Sequence, residues 1–117
     1  MLADKTLFDA LSEIGIPVNR VAAKYANTDV IPGQYFVYAI TGGSPSYSDD
    51  YLEYIELYYT VMLFSKTDYT SVLRQTVDVL NVDGVRISSL GAEMYDPDID
   101  FYQIPINVAI QEFWEED

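Results

Sequence analysis

The sequence predicts an α+β domain in the order α-β-β-α-β-β, with a largely antiparallel sheet and helices packed on one face. Two observations carry that reading: two stretches with the apolar spacing of an amphipathic helix, and a pair of β-rich runs after each. A third is that no linker, repeat or low-complexity tract interrupts residues 1–117, a length suited to one domain.

The first helix rests on Leu7, Ala10, Leu11 and Ile14, which repeat at i, i+3, i+4 and i+7. Asp4 is its candidate N-cap, and Gly15 and Pro17 end it. Residues 18–24 fit a short strand or an irregular stretch. Asn27 to Gly33 reads as loop, with turn chemistry at Pro32-Gly33. Tyr35 to Ile40 is a strand. Thr41 to Asp50 holds two glycines, three serines and a proline, and is expected to be a mobile excursion ordered by a partner.

Tyr51 to Ser65 is a long strand of nearly unbroken β-formers. Ile55, Leu57, Tyr59, Val61 and Leu63 suit a core face, leaving Tyr54, Tyr58, Met62 and Phe64 as a second apolar face around Glu56. The second helix, Tyr69 to Leu80, carries the stripe Tyr69, Val72, Leu73, Thr76, Val77 and Leu80, with Thr67 or Asp68 as cap. Val85 to Tyr95 reads as a strand with a bulge at Gly91. Phe101 to Trp114 alternates, with Tyr102, Ile104, Ile106, Val108 and Ile110 on one face. Pro105 has no N–H to donate, which marks this run as an edge strand or a place where pairing breaks.

Composition narrows the chemistry. Half the residues are hydrophobic and 15% are aromatic, which argues against intrinsic disorder. The chain has no cysteine and no histidine, so it offers no disulfide, thiolate or Cys/His zinc site. The usual proton shuttle near neutral pH is also missing. No apolar run approaches a membrane span, and no signal peptide is visible, so a cytoplasmic site of synthesis and use is expected. The net charge of −13 disfavours direct contact with nucleic-acid phosphate or an anionic membrane. Eight of the acids fall between Glu93 and Asp117, where there is no lysine or arginine.

Candidate chemical constellations fail on spacing. Asp96-Pro97-Asp98-Ile99-Asp100 opens like a calcium loop, but Phe101 and Asn107 stand where an EF-hand needs Gly and Glu. Lys66-Thr67 precedes a helix as a P-loop would, but Phe64-Ser65 replaces the glycines that make a phosphate nest. Glu53 and Glu56, three apart on a strand, point to opposite faces, and Ser65-Lys66 has no supporting pattern. No enzyme activity and no cofactor or metal are expected.

The early helix ending near Ile14-Gly15, the strand Tyr51–Ser65, the helix Tyr69–Leu80 and the closing Tyr102-Gln103-Ile104-Pro105-Ile106-Asn107-Val108 form a recognisable series. With the aromatic-acidic tail Phe113-Trp114-Glu115-Glu116-Asp117, it resembles the tail-terminator, or tail-completion, proteins of bacteriophages with long non-contractile tails. The resemblance implies a hexameric ring of α+β protomers that caps the tail tube and joins it to the head. The protein would then sit at the tail–head junction of a virion, after assembly in the host cytoplasm. Its partners would be further copies of itself and the tube and head-completion proteins, with DNA at most passing through the lumen.

On that reading Tyr54, Tyr58, Met62 and Phe64 form a subunit interface. Gly42, Gly43, Ser44, Tyr47, Asp49 and Asp50 belong to a partner-contact loop. Head-completion or adaptor proteins of the phage neck are similar in size and texture. Two readings from other classes are an acidic DNA mimic that inhibits a nucleic-acid enzyme and a stand-alone ligand-binding domain with tyrosines lining its pocket.

Overall fold

The computed structural model describes residues 2–22 and 31–113. Helix α1 (Leu2–Ser12) leads into β1 (Val18–Arg20), then β2 (Gln34–Ser48) and β3 (Tyr51–Ser65); α2 (Thr70–Val79) follows, then β4 (Val85–Leu90), β5 (Met94–Asp96) and β6 (Phe101–Phe113). The six strands form one sheet in the order β1-β2-β3-β6-β4, with β5 pairing on β6 beside β4. Every pairing is antiparallel except β1 with β2. The fold is therefore a mixed α/β sheet with two helices, and its element order departs from the expected α-β-β-α-β-β through the added β1 and the split of Val85–Tyr95 into β4 and β5.

Both helices lie against one face of the sheet. Leu7, Ala10 and Leu11 of α1 and Leu80 at the end of α2 share a core with Phe36, Tyr38, Tyr59, Val61, Leu63, Ile104, Ile106, Val108 and Ile110. The odd positions of β3 are thus the buried ones, as alternation requires. Ile55 and Leu57 are only partly buried, and Leu57 packs against the rim of this core. Gly15 ends α1 with φ +91°, a backbone that side chains resist.

Asp4 sits inside the first turn of α1 and does not cap it. The Ala3 N–H near the helix start instead donates to Glu112 Oε2 of β6 at 2.8 Å. Asp4 accepts from the Tyr59 hydroxyl at 2.6 Å and pairs with Arg20 at 3.1 Å. At α2, Tyr69 is the N-cap residue and makes no side-chain cap. Asp68 does that work one residue earlier, accepting from the Thr70 N–H at 3.0 Å.

The largest departure concerns Thr41 to Asp50, which is not a loop. β2 runs without a break from Gln34 to Ser48 and pairs with β3 as far as Ser48↔Tyr51, with register shifts at Ile40/Gly42 and Ser46/Tyr47. Asp49 and Asp50 form the two-residue turn, both with positive φ (49° and 65°), as a type I′ hairpin demands. Cross-strand pairing along β3 overrides the weak strand propensity of Gly, Ser and Pro.

Pro105 is not on an edge strand either. β6 lies inside the sheet, and Pro105 pairs with Met62 of β3 on one side. On its other side β4 ends at Leu90↔Ile106 and β5 begins at Met94↔Gln103, so pairing breaks where Pro105 stands. Gly91 bridges that gap by donating its N–H to the Pro105 carbonyl at 2.8 Å. A Cβ on Gly91 would meet Pro105 Cγ at 2.4 Å, so the glycine marks a close approach. The β4 register shift lies between Ile87 and Ser89, not at Gly91.

Trp114 to Asp117, residues 23 and 24 of the uncertain early stretch, and Asn27 to Val30 of the expected loop lie outside the described residues.

Candidate docking face and hairpin

The even positions of β3 define the face that the helices leave uncovered. Tyr54, Tyr58, Met62 and Phe64 all lie on it, paired across to Ser46, Gly42, Val37 and Tyr35 of β2. The structure brings these four onto one face but does not leave them equally open. Phe64 stacks on Tyr35 with ring centroids 4.7 Å apart, and Phe101 meets Tyr35 edge-on at 5.5 Å. Tyr35 and Phe101 are buried by this cluster, and Lys66 Nζ lies 5.3 Å from the centre of the Phe101 ring. This end of the face is a small second core.

The middle is polar: Thr60 donates to Asn107 Oδ1 at 2.9 Å, and Asn107 Nδ2 donates to Ser89 at 3.0 Å. Tyr58 is more open, at 36% exposure. Its hydroxyl donates to Glu56, which raises its pKa, and it also contacts Ser44. Glu56 is held by Arg86 of β4 at 3.1 Å. Tyr54 leans on Phe113, ring centroids 5.6 Å apart. The exposed part of the face is therefore centred on Tyr58 and runs outward along the hairpin.

Gly42, Gly43, Ser44, Tyr47, Asp49 and Asp50 lie along the outer half of that hairpin, as strand and turn. β1 covers the edge of β2 only at Phe36 to Tyr38, so the edge beyond it is unpaired among the described residues. Among the described residues β6 pairs with β3 as far as Tyr54↔Phe113, and none pairs with β3 nearer the turn except β2. Tyr47 and Tyr51 flank its tip, 64% and 72% exposed. The molecule measures 52 × 27 × 23 Å along its principal axes.

A second feature was not visible in the sequence. α2 and β4 border an open groove of about 450 Å³ lined by Leu73, Arg74, Val77, Asp78 and Leu90. Only the fold brings Val77 and Leu90 together. Val77, expected in the core stripe of α2, is exposed at this groove. Tyr102, expected on the core face of β6, lies half-exposed between Tyr69 and Tyr95.

The Asp96–Asp100 segment is a tight acidic turn. The Asp98 N–H donates to Asp96, and the Tyr95 hydroxyl donates to Asp100. Among the described residues no group of three or more acidic side chains converges to hold a metal ion, and no helix is long and apolar enough to cross a membrane.

No family model matches the chain, and no curated protein matches it. Solved structures share its fold. One solved chain is 14% identical and aligns with a TM-score of 0.60 over 98% of this chain and 92% of its own. Another is a chain from the virion of a native gene transfer agent particle, 8% identical, with a TM-score of 0.51 over 92% of each chain. At these identities the likeness is one of fold.

Proposed function

We propose that this chain is a non-catalytic structural protein of a phage-like particle: a tail terminator whose copies form a ring that caps the tail tube and joins it to the head. The observation that carries the reading is a sheet that the two helices cover on one face only, among the described residues, in an architecture shared nearly end to end with a chain of a gene transfer agent virion. Apolar surface left open on a small domain is expected to meet another protein. Here that surface is the Tyr58-centred face and the hairpin beyond it. The acidic surface suits a protein that lets DNA pass without holding it.

Sedimentation velocity with negative-stain imaging tests the reading. A ring of about six copies of the 13.3 kDa chain is expected, with labelled protein found at the tail–head junction of the particle. A stable monomer that competes with DNA for a nucleic-acid enzyme would replace this reading with the acidic mimic.

A further inference from the structure

Between Lys24 and Lys66 the chain has no lysine or arginine, so the hairpin carries acids alone: Asp49 and Asp50 at its tip, Glu53 and Glu56 behind them. Glu56 is held by Arg86 of its own chain. Asp49, Asp50 and Glu53 are exposed, beside the exposed rings of Tyr47 and Tyr51. This is an acidic, aromatic tip on an extended ribbon.

The α2/β4 groove has the complementary character. Val77 and Leu90 line it at 39% and 49% exposure, and Arg74 stands exposed on its wall. Among the described residues Arg74 has no carboxylate within ion-pair reach, whereas Lys5, Arg20 and Arg86 each have one. Asp78 also borders the groove, which favours approach of the tip's acids from the Arg74 side.

The tip cannot reach the groove of its own chain. Leu90 pairs with Ile106, and Ile106 with Val61, so the groove's Leu90 is level with Val61 on β3. Val61 is roughly ten residues, about 33 Å of strand, from Tyr51. A contact between tip and groove has to join two molecules. Because the two surfaces differ, it is head-to-tail, the kind that closes a ring when the rotation allows.

From this geometry we propose that the β2–β3 hairpin tip of one copy docks in the α2/β4 groove of the next, with Tyr47 and Tyr51 over Leu73, Val77 and Leu90 and the tip carboxylates beside Arg74. The proposal rests on the ring reading above and names the lateral contact that would build the ring.

Charge exchange tests it. Arg74→Glu alone, and Asp49→Lys with Asp50→Lys alone, are each expected to weaken assembly tenfold or more. The variant carrying all three substitutions should recover most of that loss. Tyr47→Ala with Tyr51→Ala should cost roughly thirtyfold. All these positions are exposed, and circular dichroism verifies that each variant keeps its fold. A wild-type ring that every variant preserves overturns this contact, assigns the groove to a different protein and leaves the ring reading standing. Loss of assembly in the single exchanges without recovery in the combined variant also overturns it. A wild type that stays monomeric overturns both proposals.

Discussion

The Tyr59 hydroxyl, at the centre of β3, donates to Asp4 Oδ1 in the first turn of α1 at 2.6 Å. This bond ties the middle of the sheet to the helix above it, and Arg20 holds the other carboxylate oxygen at 3.1 Å. Burial, followed by the bond to Asp4, pushes the Tyr59 pKa well above the ordinary tyrosine value. Tyr59→Phe removes the donor and leaves Asp4 paired only with Arg20; a loss of about 1–2 kcal/mol is expected in urea unfolding. The pH dependence follows from the upward shift. The bond contributes fully below pH ~10, where the tyrosine of the unfolded chain is still protonated, and its contribution fades as pH rises above that through the folded value. The wild type should lose stability above pH ~10 more steeply than Tyr59→Phe. Parallel slopes would show that the bond is not coupled to folding.

Gly91→Ala places a methyl group 2.4 Å from Pro105 Cγ. Overpacking of this kind costs about 1–3 kcal/mol. Pro105→Ala removes the obstructing atom, so the double variant should be more stable than the sum of the two single losses. Strict additivity in a double-mutant cycle would place the strain elsewhere.

Asp68 accepts the Thr70 N–H, and that bond holds its carboxyl below the usual carboxylate range. A lowered pKa stabilises the fold above the ordinary aspartate value, and the effect is lost as pH falls through the folded value. Asp68→Ala should lower Tm at pH 7 and narrow its gap to the wild type under acid, whereas Asp68→Asn, which keeps an acceptor, should retain most of the helix start. Equal Tm values for wild type and Asp68→Ala at pH 7 would remove the capping role.

Tyr58→Ala is expected to weaken assembly by tens of fold with the far-UV spectrum unchanged, as truncation of a central aromatic anchor does. The partly exposed ring and its bond to Glu56 fit a residue that the fold can spare. Collapse of secondary structure would make Tyr58 ordinary core. Unaltered assembly would move the interface off this face.

Both helices and the buried faces of β3 and β6 were legible in the sequence because each depends on local periodicity, from Leu7-Ala10-Leu11 to Ile104-Ile106-Val108. The outer half of β2 was not. Its Gly42-Gly43-Ser44-Pro45 has the composition of a loop, and only pairing with Tyr58 to Ile55 makes it strand. Pro105 gave two readings, and the choice between them depended on the sheet order, which no local pattern encodes. Tyr54, Tyr58, Met62 and Phe64 share a face by strand alternation alone, yet the partial cover of Phe64 comes from Tyr35 and Phe101, distant in sequence. The α2/β4 groove was hidden for the same reason.

The position of β6 between β3 and β4 also divides the sheet's contacts into those near in sequence and those far apart. The β2–β3 hairpin closes over two residues and zips from Asp49-Asp50 through contacts near in sequence, whereas β3 waits for partners roughly fifty residues away. Until β6 inserts, β3 and β4 each present a naked backbone edge and the core side chains of Tyr59, Val61 and Leu63 have only half their cover. Insertion of this one strand completes both edges and the core at once, so one segment of chain carries the contacts of longest sequence separation on two sides of the sheet.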